Sequence, residues 1–171
     1  MTDETVTLTA DVLEAPQALP ALQEALTDPD PTVRRLVVGA LDFFRDLSLA
    51  EPLLQMLADP EWQVQQETAI VLGRLGSATA GLALLQALRD PYWQVVKEAV
   101  TALGSLRYVA APDVLLALGA NPQVDIRKVV AWALGEIGQP EARACLERLM
   151  MDEDAEVRRA ATHALTQITL V

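Results

Sequence analysis

Cysteine and histidine, the residue types most used in covalent catalysis, occur once each, at Cys145 and His163. A thiolate beside an imidazole is the start of a nucleophilic dyad. The spacing argues against one here. Cys145 falls in an apolar row with Ala21, Pro52, Ala83 and Val114 and reads as a small buried residue. His163 falls in another row, on another segment, and no third group to orient it is evident. One His and one Cys also fall short of the ligand set that zinc takes. No glycine-rich phosphate loop is present. Catalytic residues, metals and cofactors are therefore not expected.

Binding chemistry is better represented. Arg34, Arg127 and Arg158 share a row with Gln65 and Val96. As free cations they would make an anion site; as a structural ladder each would hydrogen-bond the Asp of its own repeat, and the ladder is the expectation. The next row is Arg35, Gln66, Lys97, Lys128 and Arg159. One helical turn on lie Gly39, Ile70, Thr101, Trp132 and His163, and a further turn on lie Asp42, Gly73, Gly104, Gly135 and Thr166. These rows share one helical face, expected to be an open concave surface with a basic strip, a large aromatic and a glycine floor. Glycine inside a helix costs roughly 1 kcal/mol against alanine. Tight helix packing and close approach of a ligand are both adequate reasons for it. Trp62 and Trp93 are equivalent positions, with Tyr92 beside the second. They serve either as anchors for a partner or as local cover for a turn. The expected partner-binding set is Trp132, Lys128, Lys97, Arg35, Arg159, Trp62, Trp93, Tyr92 and His163. Phe43 either extends it or caps the first unit.

The elements that carry these residues follow from a repeat. A β-branched residue recurs at Val33, Val64, Val95, Ile126 and Val157, each step 31 residues. Five positions earlier stand Asp28, Asp59, Asp90, Asn121 and Asp152, followed by Pro29, Pro60, Pro91 and Pro122, with Glu153 breaking the row. Leu41, Leu72, Leu103, Leu134 and Leu165 form another row, as do Leu22, Leu53, Leu84, Leu115 and Leu146. Spacings of three and four within each unit, as in Val64, Thr68, Val71, Leu72 and Leu75, read as one face of an α-helix. The Asp or Asn is expected to cap the second helix of each unit, with Pro in its first turn. Gly76 and Gly138 stand where C-terminal caps belong. Helix pairs are expected within 16–45, 47–76, 78–107, 109–138 and 140–169. The row Val38, Ala69, Val100, Ala131 is small enough for close approach of neighbouring second helices. Thr162 ends that row as a polar cap, with Val171 as the expected end. Met1 to Glu14 read as an acidic tail, and 15–171 as a single solenoid domain.

Composition narrows the partners. The 171 residues are about half apolar and carry a net charge of −11. A chain this acidic repels phosphate backbones, so nucleic acid is not an expected partner. No apolar run approaches a membrane span of roughly 20 residues. The N-terminus lacks the charged head and apolar stretch of a signal peptide. A lone cysteine fits a reducing cytoplasm.

The stretch from Ala133 to Leu165, ALGEIGQPEARACLERLMMDEDAEVRRAATHAL, resembles the short HEAT-like repeat of the phycobilisome-lyase type. The resemblance covers essentially Ala15 to Thr169. It implies an all-α, right-handed α-solenoid of five two-helix HEAT-like repeats with period 31, whose second helices line the concave face. It also implies two roles. One is a protein-binding scaffold; the other is a phycobilin lyase subunit or chaperone, with a bilin or phycobiliprotein as partner. In the second role Arg35, Lys97, Lys128 and Arg159 would pair bilin propionates and Trp132 would stack on the rings.

Overall fold

In the computed structural model, residues 18–169 are described, and they form five helix pairs. The pairs are α1 (Ala18–Ala25) with α2 (Pro31–Leu41), α3 (Ala50–Met56) with α4 (Trp62–Leu75), and α5 (Ala80–Ala87) with α6 (Trp93–Ser105). They continue with α7 (Pro112–Leu118) and α8 (Val124–Ile137), then α9 (Arg143–Leu149) and α10 (Ala155–Thr169). The acidic segment Met1–Glu14 and Val171 lie outside the described residues. Each first helix packs on its own second helix, and the second helices pack on one another in chain order. The chain is therefore an all-α solenoid. No described helix is long and apolar enough to cross a membrane.

The apolar rows are the core. Leu53, Leu84, Leu115 and Leu146 are completely buried, as are Leu72, Leu103 and Leu134. Each contributes about 2 kcal/mol of transfer free energy. Burial falls off at the ends of the array: Leu22, Val33 and Leu165 are half-buried and Thr162 is exposed. A terminal unit has a neighbour on one side only. The row Val38, Ala69, Val100, Ala131 is fully buried, but closest approach falls to another row. A Cβ built on Gly73 would lie 2.9 Å from Ala102 Cα, one on Gly104 2.9 Å from Ala133 Cα, and one on Gly135 2.8 Å from Ala164 Cα.

The repeated Asp or Asn before each second helix works differently from its expected role. Asp28, Asp59, Asp90, Asn121 and Asp152 do not cap the helices. Each accepts, through Oδ1, the backbone N–H two residues on, at 2.8–2.9 Å. This is an Asx turn. It sets the chain direction, and the helix starts beyond it, with Asp30, Glu61, Tyr92 and Gln123 at the N-caps of α2, α4, α6 and α8. Only Asp30 of these four caps with its side chain. Gly76 and Gly138 cap α4 and α8 with left-handed φ of 75° and 74°. The equivalent Arg45 and Arg107 take the same conformation at φ 50° and 48°.

The arginine row is a ladder, but its rungs join neighbouring repeats. Arg34 donates from Nε to Asp59 Oδ2 at 2.7 Å and from its second terminal nitrogen to Oδ1 at 2.8 Å. Its first terminal nitrogen donates to the carbonyls of Asp28 and Pro29. Arg127 repeats this with Asp152, at 2.7 and 2.9 Å, and with the Asn121 and Pro122 carbonyls. Each guanidinium thus closes its own turn and grips the acid of the following repeat. Burial pushes Asp59 up, but the Arg34 hydrogen bonds and the Glu61 N–H together hold it below the usual carboxylate range. Asp152 is held down chiefly by Arg127.

Removing one partner of an enclosed pair costs roughly 3–5 kcal/mol. Arg127 is buried, at 8% exposure, but Asp152 keeps the Asp154 N–H when the guanidinium is removed, so Arg127→Met is expected to cost less, about 2 kcal/mol in urea unfolding. The pH dependence has a defined sign. Depressed native carboxylates stabilise the fold above their unfolded value of about 3.9, and that contribution is lost as pH falls through the native value. Wild type should therefore lose more stability on acidification below about pH 4 than a Asp59→Asn, Asp152→Asn variant does.

Candidate functional site

The second helices present the row Arg35, Gln66, Lys97, Lys128 on a half-buried face, with Gly39, Ile70, Thr101 and Trp132 one turn along. Between α4 and α6 this face holds a groove of about 250 Å³, lined by Ile70, Gly73, Arg74, Glu98, Thr101 and Ser105 among others. Ile70, Gly73 and Thr101 belong to rows singled out in the sequence. Arg74, Glu98 and Ser105 were missed. Stepping one position further along the same helical face would have found them.

The four cations of the basic row are not equivalent. Lys97 Nζ lies 3.2 Å from Glu98 Oε1, and Arg159 pairs with Glu156. Both charges are thus shared within their own helix. Arg35 and Lys128 have no carboxylate partner among the described residues. Lys128 stands one turn before Trp132, so a cation and an indole adjoin on this face. Trp132 is half-buried and packs against the core. Its ring covers Gly104: a Cβ there would meet Trp132 Cζ3 at 2.7 Å and Ala133 Cβ at 2.8 Å. The glycine row is thereby explained by helix packing and by the seat of one indole. His163 is exposed and reaches only Gln167, at 3.4 Å.

The remaining aromatics form a separate feature. Trp62 and Tyr92 stack with ring centroids 5.7 Å apart and planes 23° from parallel. Tyr92 is 47% exposed and Trp93 36%. They sit at the starts of α4 and α6, whereas Trp132 lies eight residues into α8, about 12 Å along the axis. The expected set therefore divides into a face around Lys128 and Trp132 and an edge around Trp62, Tyr92 and Trp93. Phe43 is 73% exposed near the first unit.

Cys145 is buried, with its thiol 3.9 Å from the Leu116 carbonyl and 3.5 Å from a terminal nitrogen of Arg148. Burial raises its pKa, and Arg148 offsets only part of that. The thiol is thus held protonated by its surroundings. It sits on α9 and His163 on α10, and the two share no contact of hydrogen-bond length, so no dyad forms.

Gly104→Ala is expected to destabilise the chain by about 2 kcal/mol, since the new methyl meets backbone as well as the Trp132 ring. Trp132 emission should shift as the ring is displaced. Unchanged stability and emission would mean that the glycine row is not a packing device.

No characterised protein matches the chain closely enough to name as a relative. Among solved structures, a chain of the complex of CpcE and CpcF of phycocyanin lyase from Nostoc sp. PCC7120 superposes with a TM-score of 0.80. It is 23% identical, over 92% of this chain and 68% of that one. A designed armadillo repeat protein in complex with the peptide (KR)4 gives 0.70 at 22% identity, over 88% and 82%. Human deoxyhypusine hydroxylase in complex with glycerol gives 0.55 at 22%, over 91% and 75%. The family described as HEAT repeats matches residues 50–130 and 117–170, with a single HEAT repeat matched at 18–44. With its five stacked helix pairs matched along nearly the whole array, the chain belongs to the HEAT repeat family.

Proposed function

We propose that the chain is a protein-binding HEAT scaffold that works as one solenoid of a bilin-handling assembly, as a phycobilin lyase-type subunit or a phycobiliprotein chaperone. The observation that carries this reading is the superposition on the phycocyanin lyase chain, which takes in 92% of this chain at a TM-score of 0.80. The open face supplies fitting chemistry. A linear tetrapyrrole presents propionates and a long π system. Lys128 has no carboxylate partner among the described residues, so it can pair a propionate without first leaving an internal ion pair. Trp132 adjoins it and offers a ring face for stacking. Arg35 is a second such cation in the first unit. Lys97 and Arg159 contribute less, because neighbouring glutamates already share their charge. The net charge of −11 repels polyanions in general, so a propionate is selected by this local pair and not by the overall field.

The test is a titration of the chain with a linear tetrapyrrole, biliverdin as probe, followed by visible absorption and tryptophan quenching. Binding is accompanied by a shifted bilin spectrum, and Lys128→Ala with Trp132→Ala should weaken it at least tenfold while far-UV circular dichroism is unchanged. No spectral shift with wild type would remove bilin handling. Capture of an apo-phycobiliprotein by wild type, lost in the same double variant, would then support the scaffold role alone.

A further inference from the structure

Five equivalent turns precede the second helices, and in four of them the side chain six residues after the Asp or Asn closes the turn. Arg34 donates to the carbonyls of Asp28 and Pro29, Gln65 to that of Asp59, Arg127 to those of Asn121 and Pro122, and Arg158 to those of Asp152 and Glu153. The third turn is the exception. Its closing residue is Val96, which has nothing to donate, and the carbonyls of Asp90 and Pro91 receive no donor from the described residues. A cavity of about 240 Å³ stands beside Val96, bounded by Arg89, Asp90, Pro91, Trp93 and, from the next repeat, Asn121. It is smaller than the roughly 300 Å³ at which small-molecule pockets begin, and suits one side chain.

The acid across the rung has changed together with the arginine. Where Arg34 and Arg127 meet Asp59 and Asp152, Val96 faces Asn121. Asn121 Oδ1 is engaged by the Gln123 N–H at 2.9 Å. Its Nδ2 therefore stands where the two aspartates offer Oδ2 to a guanidinium. The vacant rung thus presents backbone acceptors on one side and an amide donor on the other, with Arg89 at the rim. A guanidinium or ammonium meets the Asn121 amide N–H and Arg89 there, with the Asp90 carboxylate, already accepting from the Tyr92 N–H, as its one countercharge. A carboxamide suits both sides, since it donates and accepts through one planar group. The chain itself shows the pose: the Gln65 amide nitrogen donates to the Asp59 carbonyl at 2.8 Å in the equivalent turn. Gln65 Oε1 is left buried without a partner among the described residues.

We infer that the vacant third rung is a recognition pocket for a glutamine or asparagine side chain of a partner polypeptide, with Trp93 as the exposed wall on which its aliphatic stem packs. This site lies on the turn edge, away from Lys128 and Trp132, and does not depend on the bilin reading.

The test is nitrogen-15 NMR of the full chain titrated with N-acetylglutamine amide and, separately, N-acetylarginine amide. The glutamine probe should shift the Asn121 side-chain NH2 and Trp93 indole signals saturably, and the arginine probe should bind at least fivefold more weakly. A Val96→Arg, Asn121→Asp variant rebuilds the rung seen at Arg34 and Asp59. It should melt no lower than wild type, which reports its folding. Its Trp93 indole should shift at least tenfold less with the glutamine probe. A wild-type titration without saturable shifts overturns the inference. So do tighter binding of the arginine probe, which would make this a cation site, and equal binding by the rebuilt variant.

Discussion

Everything on this molecule hangs from the distance between successive second helices. Gly73, Gly104 and Gly135 let α4, α6 and α8 approach the next helix so closely that an added Cβ would fall within 3 Å of its backbone. Dispersion and burial at that seam replace what isolated helices of this length lack, since helices of about 12–15 residues are marginal alone. The spacing also sets what the rest can do. It brings Arg34 within bidentate reach of Asp59 and Arg127 of Asp152. It gives the Trp132 indole a seat over Gly104 and leaves its outer edge on the open face. Thr166 takes the glycine position in the fifth unit and is exposed.

Two kinds of polar residue then divide the labour. The turn edge is structural where the ladder is complete, because each arginine satisfies carbonyls that would otherwise need water and binds the neighbouring acid at once. The open face carries charges that are less committed. Lys97 and Arg159 are tied to glutamates, whereas Lys128 adjoins Trp132 with no carboxylate partner among the described residues. Arg35 and Lys128 are thus the cations of this row that no described carboxylate engages. The same logic applies to the third rung, where the missing donor leaves an acceptor pair open.

The helix pairs were legible in the sequence because five copies in register average out local ambiguity, and the leucine rows that repeat without exception are fully buried in the inner units. The helix starts were less legible. Asp before Pro has the composition of an N-cap, and only the geometry shows that Asp59 and its equivalents make Asx turns two residues earlier. Arg34 was readable as a ladder residue, but its partner was not. Contact with Asp59 crosses a repeat boundary, which a reading within one unit cannot see. The glycine row shows the same limit, since its cause is Ala102, Ala133 and Ala164 on the following helices. The paired exchange of Arg for Val96 and of Asp for Asn121 was visible in the rows, and acquires meaning only once the two residues are known to face each other.

The most direct test of this account removes one period. Deleting residues 78–108 joins Ser77 to Val109 in register and sets Gly73 against Ala133 in place of Ala102. Urea unfolding followed by circular dichroism should then show a single cooperative transition, unchanged helicity per residue and an m-value lower by about one fifth. A chain that loses cooperative helix on this deletion, or folds equally well when 28 residues are removed instead of 31, would contradict stacking through a repeating seam.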